Sequence, residues 1–365
     1  MATPELNAAS VWQQRGILVL QNPRALLPEP PPDLLPGGAL LFATSGSTGQ
    51  PKWILHSRET LLTSASAVNR RLQADRADTW LCCLPLFHVG GLAITARAHL
   101  SGSRVVHGPD KWCPRETVRT MEAERVTLTS LVPAQVHDLA EQGLCAPPAL
   151  RAAIVGGGFL SPALADRAAE LGWPLLPSYG LTEAASQVAT ATGVFSPLQI
   201  LSHWETAVDD QGRLLLRGPA LFHGSFVRNG ESWQFHPQPA GGWFATADRV
   251  QLDGGTLHWL GRLDRTVKIL GELVDLDALE RELSALAGTE VAVISMPDER
   301  RGGILTICAE SDLSTAVAVH QQRCAPFQRL GRILQLEALP RSPLGKIQRV
   351  ELKDLAAAMA RELPS

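Results

Sequence analysis

Between residues 39 and 171, short apolar runs alternate with longer segments of helical character, and this alternation leaves few folds open. ALLFAT (39–44), TWLCCL (79–84), LTSLV (128–132) and AAIVG (152–156) are too short for buried helices and read as buried strands. ETLLTSASAVNRRL (59–72), PRETVRTMEAE (114–124), AQVHDLAEQ (134–142) and PALADRAAEL (162–171) read as helices. Strand–helix alternation predicts βαβ units and a parallel sheet.

The pattern changes beyond Glu183. RLLLRG, LFHGSFV, GWFATADRVQL and TLHWL, within 213–260, are separated by Gly, Asp-Gly and Pro, which predicts short antiparallel strands. GRLDR (261–265) reads as a junction. Next, DLDALERELSAL places Leu276, Leu279, Leu283 and Leu286 on one helix face, with Asp275 or Asp277 as the cap. Strands EVAVISM and ILTICAE follow, then a helix near 312–323, a strand near 332–336 and a last helix from about Val350. Before all this, LPEPPPDLLPGG (27–38) predicts a stiff, irregular lead-in. The expected fold class is α/β: a large domain of mainly parallel sheet and helices with a small antiparallel part, followed by a mobile α+β C-terminal domain. The expected boundaries are 1–38 for the lead-in, 39–262 for the large domain and 263–365 for the small one.

Composition removes several function classes. The chain has 365 residues, 45% hydrophobic and 19% charged, which fits a folded, soluble protein. Thirty-three Lys and Arg against 36 Asp and Glu give a net charge of −3, so there is no electrostatic case for nucleic acid or an anionic membrane as partner. No apolar run reaches the ~18 residues of a membrane helix, and MATPELNAASVWQQRG has no signal-peptide character. Six cysteines without C-x-x-C spacing read as reduced thiols in a cytoplasmic protein.

The strongest motif is Thr44-Ser45-Gly46-Ser47-Thr48-Gly49-Gln50-Pro51-Lys52. It follows a predicted strand. Gly46 and Gly49 let the backbone turn sharply and present N–H groups to an anion, the hydroxyls add donors, and Lys52 adds charge. The spacing is not that of a Walker A loop.

This loop resembles the signature loop of the adenylate-forming superfamily of acyl- and aryl-CoA ligases and adenylation domains. Further segments resemble that superfamily's motifs in the same order: Leu84–His88, Ser178–Glu183, Gly242–Asp248 (with Ala247 where glycine is usual), Gly261–Gly271 and Pro340–Lys346. The resemblance implies ATP, Mg2+ and coenzyme A as cofactors and co-substrates. It also implies two half-reactions: a carboxylate displaces pyrophosphate from ATP, and a thiol then displaces AMP. By the same resemblance, residues 44–52 hold the β- and γ-phosphates, Tyr179 stacks on adenine, and Thr182 contacts the α-phosphate. Glu183 ligates Mg2+, Asp248 and Arg262 hold the ribose, Lys346 bridges the acid and the α-phosphate, and Asp264 is the hinge of a small domain that rotates between half-reactions.

The Gly156-Gly157-Gly158 run together with Tyr179-Gly180-Leu181-Thr182-Glu183-Ala184-Ala185-Ser186-Gln187 resembles the o-succinylbenzoate–CoA ligases of menaquinone and phylloquinone synthesis. Such an acid carries two carboxylates and a ring. Activating one carboxylate leaves the other in need of a cation or an N–H-rich site. His88, Gly156, Gly157, Gly158, Ser186 and Gln187 are the expected substrate residues, with Arg97 as the cation. The competing reading of Arg97 is a helix-end arginine in solvent. Only 43 residues precede the loop, fewer than the superfamily carries, and a compact active enzyme is expected. Two alternatives stay open: an adenylation enzyme for another acid or for a carrier-protein thiol, and a non-catalytic nucleotide-binding remnant. The expected partners are a small carboxylic acid, ATP and CoA, without nucleic acid or membrane insertion; a homodimer is compatible with the sequence.

Overall fold

The computed structural model describes residues 8–13, 15–23, 27–45, 51–298, 301–342 and 345–362. The chain divides into two compact units. The first takes Met1–Ala207, Leu215–Ala245 and Leu252–His258; the second takes Val208–Leu214, Thr246–Gln251 and Trp259–Ser365.

In the first unit, strands Leu175–Leu181, Ala152–Val155, Leu128–Leu131, Thr79–Cys82 and Arg104–His107 lie side by side in that order. All four pairings among them are parallel. Ser186–Thr190 and Leu198–Ile200 extend the same sheet antiparallel beyond Leu175–Leu181. TWLCCL, LTSLV and AAIVG are therefore strands of a parallel sheet, whereas ALLFAT, expected in the same sheet, forms Ala39–Ser45 of a second one and lies antiparallel to Pro51–Ser57. Leu81, Leu131, Val155 and Leu175 pack with Val136, Met121 and Trp173 from the helical side into one buried core. Removing this apolar area from water is the main term that holds the layers together.

A second sheet runs in the order Leu18–Leu20, Ala39–Ser45, Pro51–Ser57, Gly224–Asn229, Ser232–Pro237. Ala39–Ser45 and Pro51–Ser57 are antiparallel neighbours, with Thr44 opposite Lys52. The motif at 44–52 thus joins two strands of a hairpin. Helix Arg58–Leu72 follows directly, with Ser57 Oγ capping Thr60 N at 3.3 Å.

Two further expectations for this unit need correction. Residues 8–20, read as irregular, contain helix Ala8–Gln13 and strand Leu18–Leu20, which pairs in parallel with Leu40–Phe42. Helix Val89–Ser101, a segment to which the sequence reading assigned no element, carries Gly90 and Gly91. Gly91 is required there, because a Cβ would lie 2.3 Å from Pro85 O. Arg97 is accordingly inside that helix and 1% exposed, so the reading of a solvent-facing helix-end arginine fails.

The second unit has its own core, in which Leu276, Leu279 and Leu283 of helix Leu276–Ala287 pack on Val293, Leu305 and Ile307. Asp275 is the residue that caps this helix, accepting from Asp277 N and Ala278 N at 3.0 Å each. Leu286, placed on the apolar face by spacing, is 39% exposed. The sheet runs Ala292–Met296, Ile304–Ala309, Leu330–Gln335, antiparallel then parallel, with helices Ser314–Arg323 and Arg349–Glu362. An α+β unit is thus present at the C-terminal end.

Candidate active site

In the first unit, three elements converge on the turn Thr182–Ala184. This turn ends strand Leu175–Leu181, whose Tyr179 pairs with Ala189. From strand Pro51–Ser57, Lys52 Nζ donates to Glu183 Oε1 at 2.6 Å, and His56 Nε2 reaches Thr182 O at 2.7 Å. Phe222 N donates to Glu183 O at 2.9 Å. Lys52 and the Thr182–Glu183 pair, 131 residues apart in sequence, therefore share one place. Thr44 Oγ1 donates to Lys52 O at 3.3 Å, and Ser45 pairs with Pro51 at the mouth of the hairpin. Gly46, Ser47, Thr48 and Gly49 lie outside the described residues.

After the turn the backbone is forced. Ala185 (φ +51°) and Ser186 (φ +112°) lie in the left-handed region, an unusual conformation for residues with side chains. A Cβ on Gly180 would sit 1.8 Å from Ser186 O, so the close approach of these two strands demands glycine. This geometry places Ser186 Oγ 3.3 Å from Arg97 Nη2, while Arg97 Nη1 donates to Ser130 Oγ at 3.3 Å. The guanidinium lies over the Trp80 ring, 5.6 Å from its centre. Burial pushes the Arg97 pKa down to about 10, which still leaves the group cationic near neutral pH. Among the described residues no carboxylate pairs with it, and its Nε has no partner. A buried cation with hydroxyl partners alone is a poor structural device and a good receptor for an anion.

The remaining substrate expectations fall in the same unit. Gly156, Gly157 (φ +80°) and Gly158 follow strand Ala152–Val155, and a Cβ on Gly156 would lie 2.8 Å from Ser178 Oγ. His88 precedes helix Val89–Ser101, its ring 4.5 Å from that of Phe87. Gln187 is buried, and its side-chain oxygen accepts from Thr190 Oγ1 at 2.6 Å.

Asp248, Arg262, Asp264 and Lys346 belong to the second unit. Asp248 is buried and its Oδ1 accepts from Trp259 Nε1 at 3.0 Å and Arg262 Nη1 at 3.5 Å. Arg262 is held more tightly by Asp264, through Nε at 2.8 Å and Nη2 at 2.7 Å. Lys346 N donates to Ser342 Oγ at 3.2 Å, and its carbonyl accepts from Ser342 N at 2.8 Å, closing the turn that carries the side chain.

Two contributors escape a reading of the sequence. His56 lies in an apolar strand with no motif to mark it. Its one sequence signal is an imidazole alternating with Ile54 and Lys52 on a single strand face. Gly180 is visible as a glycine, but its pairing with Ser186 is not.

Residues 5–225 match the AMP-binding enzyme family. A 2–succinylbenzoate–CoA ligase of Enterococcus faecalis is 30% identical over 343 residues, covering 87% of this chain and 69% of that protein. The o-succinylbenzoate CoA synthetase (MenE) of Bacillus subtilis, solved with the acyl-adenylate OSB-AMP, superimposes with a TM-score of 0.72 at 25% identity, over 86% of this chain and 69% of that one. The same enzyme solved with ATP and magnesium gives 0.72 at 26% identity, over 86% and 70%. The chain belongs to the AMP-binding enzyme family, and its fold is that of the adenylate-forming ligases.

The described residues fit a nucleotide-borne Mg2+ better than an all-protein metal cage. They hold no cluster of three or more His, Cys, Asp or Glu side chains suited to a metal. Glu183 supplies one hard carboxylate beside a lysine, which matches a cation whose other ligands are phosphate oxygens and water. Among the described residues no helix is long and apolar enough to cross a membrane.

Proposed function

We propose that this chain converts 2-succinylbenzoate, ATP and CoA into 2-succinylbenzoyl-CoA, AMP and pyrophosphate in the cytoplasm. The observation that carries the choice of acid is Arg97: buried, cationic, hydrogen-bonded to Ser130 and Ser186, and without a carboxylate among the described residues. A dicarboxylic acid needs such a group for the carboxylate that does not react. His88, Gln187 and the amides of Gly156–Gly158 complete the acid's surroundings in this reading.

In the first half-reaction a carboxylate oxygen attacks the α-phosphorus, and the bond to pyrophosphate breaks. Positioning and charge neutralisation dominate such a step. Residues 44–52 hold the β- and γ-phosphates, with Lys52 as their cation. Tyr179 stacks on adenine, Thr182 contacts the α-phosphate, and Glu183 holds Mg2+, which when bound neutralises phosphate charge. Lys52, paired to Glu183 at 2.6 Å, would be released to the phosphates where Glu183 held the metal. Asp248 and Arg262 take the ribose hydroxyls, and Lys346 spans the acid and the α-phosphate. In the second half-reaction the CoA thiolate attacks the acyl carbon and AMP leaves. Residues 263–365 form the domain that reorients at Asp264 between the two steps, and residues 39–262 form the domain that binds the nucleotide.

The test supplies ATP and 2-succinylbenzoate with and without CoA. Pyrophosphate release without CoA, and thioester only with it, is the expected result. Lys346→Ala should abolish pyrophosphate release yet still convert preformed acyl-adenylate and CoA to thioester. Loss of both half-reactions together would remove Lys346 from this role.

A further inference from the structure

We propose that His56 is a positioning residue for adenylation: its neutral imidazole, protonated on Nε2, fixes the Thr182–Glu183 turn at the place where the nucleotide's phosphates and their cation bind. The proposal rests on the reading that Thr182 and Glu183 face the phosphates.

The geometry assigns the proton. His56 is 0% exposed. Its Nε2 lies 2.7 Å from Thr182 O, and its Nδ1 lies 2.9 Å from Thr60 Oγ1. A carbonyl oxygen can only accept, so Nε2 must carry hydrogen. Burial pushes the pKa down to about 4, so the ring is neutral at working pH and Nδ1 presents a lone pair. The single Thr60 hydroxyl hydrogen has two acceptors in reach, this lone pair at 2.9 Å and Ser57 O at 2.8 Å, and serves one at a time, so the bond from Nε2 to Thr182 O is the one that fixes the tautomer. Thr60 stands in the first turn of helix Arg58–Leu72, so the ring is anchored from a rigid element. Phe42 closes it edge-on, with ring centres 5.9 Å apart.

What His56 holds is equally specific. Thr182 O accepts from both His56 Nε2 and Ala185 N, the latter at 3.1 Å, so both its lone pairs are used. The Ala185 bond closes the turn that leads into the left-handed Ala185 and Ser186. Strand Pro51–Ser57 therefore grips the turn twice, through Lys52 on the Glu183 side chain and through His56 on the Thr182 main chain. The lysine contact is with a side chain that must change partner when phosphates arrive. The histidine contact is with backbone and stays, so it holds the turn in place while the carboxylate exchanges its lysine for a cation.

Three substitutions separate positioning from bulk structure. His56→Gln keeps an N–H at the reach of Nε2. His56→Asn reaches the position of Nδ1 but not Thr182 O, and His56→Leu has no donor. The measurements are hydrogen exchange across residues 182–186, MgATP affinity by calorimetry, and KM for the acid. His56→Leu and His56→Asn should speed exchange at 182–186 selectively and weaken MgATP binding about tenfold to a hundredfold, the scale for an unmade buried hydrogen bond. KM for the acid should rise less than MgATP affinity falls, because only Ser186 at the far end of this segment meets Arg97, and His56→Gln should restore most of both losses. Uniformly faster exchange through the first unit, with MgATP and acid weakened alike and no rescue by Gln, would make His56 merely structural and overturn the proposal. Unchanged exchange and affinity in His56→Asn would overturn it too. If the wild type bound no MgATP, the adenylate-forming reading would fall instead, and exchange at 182–186 would still decide whether His56 holds the turn.

Discussion

The site groups of the two units handle charge in opposite ways. In the first, His56 and Arg97 are walled in, and their partners are hydroxyls, main-chain oxygen and an aromatic face. In the second, Arg262 is 37% exposed and is held through two N–H bonds by Asp264, itself 27% exposed. A buried ionisable group with neutral partners cannot change its protonation or its surroundings cheaply, so it fixes geometry. A half-exposed ion pair contributes little to stability and exchanges partners readily. His56 and Arg97 are thus built to hold, and the Arg262–Asp264 pair is built to be traded for a ligand.

Acid should expose this contrast most strongly. The folded protein holds the His56 pKa near 4 against an ordinary 6.5, because burial disfavours the charged ring; His223 lowers it further, while Thr182 O and Glu183 act the other way. Below pH 6.5 the unfolded chain takes up a proton that the folded chain refuses. The His56 contribution to stability therefore falls as pH drops from about 6.5 to about 4 and flattens below, a loss of roughly 3 kcal/mol. His203, also near 4 through burial, acts in the same window. Urea unfolding at pH 7 and pH 4.5 should show a smaller acid loss for His56→Gln than for wild type; an equal loss would locate the sensitivity elsewhere.

The second unit should give the smallest effect. Asp264→Ala removes a partly exposed pair and should cost no more than about 1 kcal/mol of stability. The same variant releases Arg262 toward Asp248, so AMP affinity should rise slightly rather than fall. Titration with AMP checks this, and weaker binding would mean that Asp264 supports the ribose site instead of competing for Arg262.

Much of this was legible from residue patterns, and for a physical reason. The parallel strands are continuous apolar runs because both faces are covered, so TWLCCL, LTSLV and AAIVG announce them; ALLFAT is as apolar, and its antiparallel place in the other sheet could not be read from the run itself. Helix Val89–Ser101 was not assigned from the sequence, and the requirement for glycine at 91, the approach of Pro85 O, is a tertiary contact. The cap at Asp275 was one of two local choices, and the backbone decided between them. For the site, the hydroxyl and glycine loop declares its chemistry in its composition, while Thr182-Glu183 was marked by its resemblance to a family motif. Arg97 was a candidate on charge alone; its burial is set by strands far away in sequence, which carry Ser130 and Ser186. His56 had no chemical context until Thr182 was brought beside it, 126 residues later in the chain.

The central claim is that a buried guanidinium selects a second carboxylate, and one kinetic comparison tests it. Wild type and Arg97→Ala are assayed with 2-succinylbenzoate and with an analogue lacking the carboxylate that does not react. Losing a hydrogen bond to a charged group costs about 1.5–3 kcal/mol, roughly tenfold to a hundredfold in affinity. Arg97→Ala should raise KM for the diacid on that scale and leave KM for ATP nearly unchanged. The analogue should bind wild type as poorly as the diacid binds the variant, and the substitution should not weaken it further. If the substitution weakens both acids equally, or ATP as much as acid, Arg97 does not read the second carboxylate and the assignment of the acid fails with it.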